Sequence, residues 1–248
     1  MNWGTVINKP GEAEAKPPAP EPRPKLPAWS YSRFAKWSKC PLSAYYAFIL
    51  KMPEPASEAM ERGTRLHAEA ASILNGIPDK RNELSVPWAA RLEATRSCYS
   101  SDVETELQIA FRLDWTQTDW FAKDAWCRVI FDAMIVQPGT GVVMVQEHKS
   151  GKPRAEHTQQ ATLYAAAAAA LVPNRAVEVT INYLDLNPEG PQGVVRHHFP
   201  ADLALKQTFA WAERVQPMMN DTDYPATPGN HCRWCSFAAS KGGPCEKA

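Results

Sequence analysis

The hydrophobic period of this chain changes from helical to alternating and back again, and that order constrains the fold more than any other feature. Val103 to Leu113, Trp126 to Val136 and Val142 to Lys149 read as strands, as do Val177 to Leu184 and Val194 to Phe199. The second and third are joined by the turn sequence Gln137-Pro138-Gly139-Thr140-Gly141. Helical spacing is expected over Ser30 to Leu50, broken near Cys40-Pro41, and over Ser57 to Asn75, where Met60, Gly63, His67, Ala70 and Leu74 fall on one side. Further helices are expected over Pro87 to Tyr99, His157 to Leu171 and Ala201 to Met219. Helices before, between and after strands predict an α/β fold, a central mixed sheet flanked by helices.

Met1 to Pro27 cannot join that core. It holds seven of the 22 prolines, among Glu, Lys and Ala, and offers too little apolar surface to fold. Residues 1–28 are therefore expected to be a disordered tail. Residues 29–248 are expected to be a single domain, with a Pro, Gly and Cys rich segment over 224–248. At 248 residues and 44% hydrophobic content the chain can bury a sizeable core. Formal net charge is zero, so any surface for a polyanion must be local. No apolar run reaches the roughly 20 residues of a membrane span, and no secretory signal is visible. A cytoplasmic protein without a membrane partner is the expectation.

The alternation isolates charges on apolar strands. Ile130, Asp132, Met134 and Val136 are expected to share a face, as are Val143, Val145, Glu147 and Lys149. Buried carboxylates need partners. Asp132, Glu147 and Lys149 can satisfy one another as an ordinary ion-pair cluster or through a metal ion, for which carboxylates favour magnesium or manganese. Cys232-Arg233-Trp234-Cys235 is a C-x2-C pair, followed by Cys245, and Cys40 before Pro41 is the natural fourth thiolate. Such a set suits zinc or an iron–sulfur centre, and it would clip the two ends of the domain together. Cys98 and Cys127 lack partners in sequence and read as buried apolar residues.

The order of these motifs is Gly63-x3-His67, Asp132, Glu147-His148-Lys149 and Gln160-x3-Tyr164. It resembles the RecB-like exonucleases of the PD-(D/E)XK nuclease superfamily, including the CRISPR-associated and AddB-type members. The resemblance covers about Ser30 to Cys245 and implies a restriction-endonuclease-like core. It further implies that His67, Asp132 and Glu147 are metal ligands, that the carbonyl of His148 adds another, and that Lys149 is the catalytic lysine. Gln160 and Tyr164, one helical turn apart, would orient DNA and the active site. Glu104 or Glu106 fits the glutamate that the family often has in the preceding strand, and the spacing does not choose between them. The family commonly has a glycine where Val129 stands. The cysteine set implies a [4Fe–4S] cluster, with zinc as the rival occupant. The implied activity is metal-dependent exonuclease cleavage of DNA with single-stranded or frayed ends. Recombination, repair, replication or viral genome processing would be the setting, with a recombination or replication protein as partner. Two alternatives stay open: a catalytically silent iron–sulfur DNA-binding subunit and a restriction-type endonuclease.

Overall fold

A computed structural model describes residues 22–77, 83–99, 102–137 and 141–247. Its core is a six-stranded mixed sheet in the order β2-β1-β3-β4-β5-β6. The strands are β1 (Val103–Phe111), β2 (Gln117–Thr118), β3 (Cys127–Val136), β4 (Val143–Lys149), β5 (Val177–Tyr183) and β6 (Val194–Phe199). β4 and β5 run parallel and the other neighbours antiparallel. A parallel pair needs a crossover, which α5 (Ala155–Leu171) supplies. Ala165 to Ala169 are all buried in α5, and the small side chains let it lie between the sheet and α6 (Ala201–Asn220). A helix enclosed on so many sides carries no amphipathic stripe. The β3–β4 turn expected at 137–141 falls largely outside the described residues; Gln137 N–H donates to Val142 O at 3.0 Å across it.

Helices α3 (Glu58–Leu74) and α4 (Val86–Tyr99) cover the opposite face of the sheet. Ser57 caps α3 by accepting from Met60 N–H at 3.3 Å. The buried stripe of α3 is Leu66, Ala70 and Leu74, whereas Met60 is exposed, which corrects the expected face. The helical stretch after Ser30 divides into α1 (Tyr31–Lys39), α2 (Pro41–Ala44) and a π-helical turn, Tyr45–Ile49. Pro41 lacks the N–H that a continuous helix would use, and Cys40 is extended between the two. The expected tail lies outside the described residues up to position 21. Its remainder, 22–28, is seated in the fold: Leu26 and Ala28 are buried, and Arg23 N–H donates to Thr222 O at 3.0 Å. Among the described residues no helix is long and apolar enough to cross a membrane.

Candidate active site

The β3–β4 ladder ends at Ala133–Gln146, one residue short of Asp132 and Glu147. Both strands continue to pair on their outer sides, β3 with β1 as far as Cys127 and β4 with β5 as far as Lys149. The sheet is therefore forked at the two carboxylates. His148 N–H donates to Asp132 Oδ2 at 2.6 Å, so a main-chain donor at the fork is taken by a side chain. Alternation also fails here. Phe131 packs in the core under α5, whereas Ala133 packs in the α3–α4 cluster. Ile130, Asp132, Met134 and Val136 consequently do not share an environment: Ile130 is exposed, Asp132 faces α3 and Met134 lies in the main core. Glu106, opposite Asp132 by register, has φ 50°. A non-glycine residue in that region costs about 1–3 kcal/mol, and such strain clusters at functional sites.

Two groups of side chains meet across the fork. On the α3 side, His67 Nδ1 lies 3.2 Å from Asp132 Oδ1. His67, Glu106 and Asp132 each offer a ligand atom, and these atoms all lie within 4.8 Å of one another. That choice between glutamates was open in sequence; the positive φ brings Glu106 to the group. Burial opposes charge on His67, but the hydrogen bond and charge of Asp132, with Glu147 and Glu106, outweigh it and raise its pKa. Burial likewise opposes ionisation of Asp132, yet His67 and the His148 N–H hold its pKa low. The His148 ring is buried against His67, with Nε2 unpartnered and its pKa lowered by burial to about 4.

On the α5 side, Glu147 is buried and fully engaged. Lys149 Nζ lies 2.6 Å from Oε1, Gln160 Nε2 donates to Oε1 at 2.9 Å, and Tyr164 Oη donates to Oε2 at 2.5 Å. Gln160 also donates to Tyr164 Oη at 2.8 Å, so the two residues one turn apart act as one clamp. Burial and the nearby Asp132 charge push the Glu147 pKa up to about 7, against the pull of Lys149. The structure thus joins His67 to Asp132, and Glu147 to Lys149, Gln160 and Tyr164, while the three residues close enough to share a cation include Glu106 rather than Glu147. Two carboxylates and an imidazole suit a cation such as manganese or magnesium, and Glu147 is close enough to bias the charge of the group. Cavities of about 590 and 650 Å³ reach the fork from the α3 and α5 sides.

All six cysteines are free thiols. Cys40 ends α1, Cys232 lies within the 3-10 turn Asn230–Trp234 and Cys235 follows it. Cys245 N–H donates to Phe237 O at 2.9 Å, in a fold-back so tight that a Cβ on Gly243 would lie 2.3 Å from the Phe237 carbonyl carbon. Cys40 and Cys235 line one cavity, and the Tyr46 hydroxyl, its pKa raised by burial and by Cys245, also feels Cys40. No three thiolates come within 4.8 Å of one another among the described residues. Cys40, Cys235 and Cys245 are nonetheless gathered in one region of the fold. Cys127 is buried as expected; Cys98 is exposed, because it lies on the outer side of α4.

The family model of the PD-(D/E)XK nuclease superfamily matches residues 28–240. Among solved structures, the chain is similar to that of SSO0001, with 13% identity, 90% of this chain and 87% of that chain covered, and a TM-score of 0.45. It is also similar to LHK-Exo, an alkaline exonuclease from Laribacter hongkongensis, with 13% identity, 76% and 89% covered, and a TM-score of 0.34. The complex of LHK-Exo with dAMP gives 14% identity over the same shares and 0.37. No curated protein matches the chain.

Proposed function

The chain belongs to the PD-(D/E)XK nuclease superfamily, and from that membership we propose that residues 29–248 form a RecB-like, metal-dependent DNA exonuclease acting on single-stranded or frayed ends. The observation that carries this reading is the forked strand pair, with Asp132, His67 and Glu106 on one side and the clamped Glu147–Lys149 pair on the other. A divalent cation, when bound, supplies Lewis-acid chemistry and lowers the pKa of a water ligand. His67, Glu106 and Asp132 would hold it, with Glu147 and the carbonyl of His148 as further ligands named by the motif resemblance. Gln160 and Tyr164 keep Glu147 fixed at the fork, and Lys149 places a positive charge where a phosphate oxygen develops negative charge. Its ion pair with Glu147 is ready to exchange for such a phosphate.

The four cysteines support a second element of the reading, a [4Fe–4S] cluster held by Cys40, Cys232, Cys235 and Cys245. Cys40 and Cys235 line one cavity, and Cys40 and Cys245 both lie near enough to Tyr46 to raise the pKa of its hydroxyl. Cleavage of linear against circular DNA, with manganese and then with chelator, tests the activity. Cleavage of linear single strands alone supports the exonuclease. Cutting of circles favours a restriction-type endonuclease, and binding without cutting favours a silent iron–sulfur subunit.

A further inference from the structure

The cavity on the α5 side has one wall that the nuclease motifs leave unused. Arg33 of α1 and Arg128 of β3 both line it, alongside Lys149 and Gln160. The chain brings the two arginines together by main-chain pairing: Trp29 N–H donates to Trp126 O at 2.9 Å and Arg128 N–H donates to Trp29 O at 2.8 Å. Neither arginine has an ion-pair partner among the described residues. Arg33 reaches only the Ala28 carbonyl, at 2.6 Å, and stacks over the Phe48 ring. Arg128 lies over the Trp120 ring, 5.6 Å from its centroid, and its Nε is buried with no acceptor. Trp29 Nε1, in the same wall, is a second buried donor without one. Glu156, a carboxylate residue at the rim, is ion-paired to Arg154 at 3.5 Å. Two neighbouring guanidinium groups repel each other, and burial with the charge of Arg128 lowers the pKa of Arg33. Such a pair is stabilised by an anion between them.

We propose that Arg33 and Arg128 form a phosphate subsite that grips a phosphate of the substrate strand other than the one being cleaved. The proposal rests on the DNA-nuclease reading and deepens it. The cavity holds about 650 Å³, room for a nucleotide, and Lys149 in its wall reaches the fork where cleavage is proposed. A strand whose scissile phosphate lies at Lys149 would therefore pass a neighbouring phosphate along the arginine wall. Fixing that phosphate sets register without reading sequence. Trp120, which also lines the cavity, lies against the Arg128 guanidinium.

Equilibrium binding of a labelled single-stranded oligonucleotide in chelator, across a salt series, tests this. The expected result for Arg33→Gln with Arg128→Gln is roughly ten- to hundredfold weaker binding and a salt slope reduced by about 0.7 for each phosphate no longer neutralised. Arg128→Lys should keep most of the slope, and each single Gln variant carries the same test should the double variant fold poorly by circular dichroism. Oligonucleotides with a 5′-phosphate, a 3′-phosphate or hydroxyl ends separate the sources. Preference for one phosphorylated end that disappears in the variants identifies a terminal phosphate, and equal losses on all three identify an internal one. Unchanged affinity and slope in the folded Gln variants, while the wild type binds and cleaves, overturns the subsite alone. A wild type that neither binds nor cleaves DNA overturns the nuclease reading as well.

Discussion

The forked strand site and the cysteine region solve opposite problems. At the fork, Asp132 and Glu147 already have protein partners: Asp132 has His67 and the His148 N–H, and Glu147 has Lys149, Gln160 and Tyr164. The cysteine region is short 3-10 turns and tight main-chain bonds, and its thiols have few partners beyond the Gly229 N–H on Cys232, at 3.4 Å. Ladders on both sides of the fork fix it before any ion arrives. In the proposed cluster, the cysteines would contribute to the fold through the group they bind. The comparison teaches that loss of a bound group should silence the first region and unmake the second.

The largest effect should follow at the fork. Glu147→Ala or Lys149→Ala should lower cleavage by roughly 10³-fold or more, on the scale of losing a preorganised charge in a catalytic site, with little change in far-UV circular dichroism. An active Glu147→Ala variant, or full activity in excess chelator, would break the comparison from the side of the fork. Next come the cysteines. Protein prepared without oxygen should be brown, absorb broadly near ~400 nm and contain iron and sulfide. Serine at Cys40, Cys232, Cys235 or Cys245 should remove the metal and lower the melting temperature by roughly 5 °C or more, since 1 kcal/mol moves a domain of this size by about 2–4 °C. Cys98→Ser should do neither. Zinc in place of iron, or a Cys40→Ser protein that keeps its full iron content, would show the ligand set to be wrong.

How much of this was legible follows from where periodicity holds. β4 alternates strictly, with Val143, Val145 and Glu147 toward α5, so the face of Glu147 could be read from spacing, whereas Gln160 and Tyr164 were named only by the motif resemblance and their contact with Glu147 came from the fold. β3 and β1 do not alternate through Asp132 and Glu106. A fork with a left-handed glutamate opposite it is a tertiary feature, and no propensity in Thr105-Glu106-Leu107 announces it. For the same reason sequence did not choose between Glu104 and Glu106. Arg128 carried the signal that marked Asp132, a charge inside an apolar strand, but lies outside any motif. Arg33 carried none, because its role depends on the pairing of Trp29 with β3. The two-residue strand β2 is too short for any period to reveal.

Histidine 67 gives a smaller and sharper test of the fork. His67→Ala removes one member of the group with Glu106 and Asp132. Manganese affinity should fall by roughly ten- to hundredfold, the range for a damaged metal site. Its side chain is 30% exposed, so the substitution removes little packing. A large fall in melting temperature with unchanged manganese affinity would make His67 a structural residue.

The smallest effect, and the one that decides whether Glu147 joins Glu106 around the ion, is the pH dependence of manganese binding. Metal-free Glu147 has its pKa raised to about 7 by burial and by Asp132. The folded state therefore holds a proton that the unfolded chain has already released, so stability of the metal-free protein should fall as pH rises from the ordinary carboxylate range to about 7. The raised pKa of His67 acts in the same direction, its contribution being lost as pH rises through the folded value. A cation that takes Glu147 as ligand must displace its proton, so affinity should rise by up to roughly tenfold per pH unit below that value and level off above it. Glu147→Gln removes that proton and keeps much of the clamp with Tyr164. The variant should lose the component of the slope near pH 7 while retaining the component set by His67. A variant with the full wild-type slope would place the cation on His67, Glu106 and Asp132 alone, and would leave Glu147 as the partner that holds Lys149 in place.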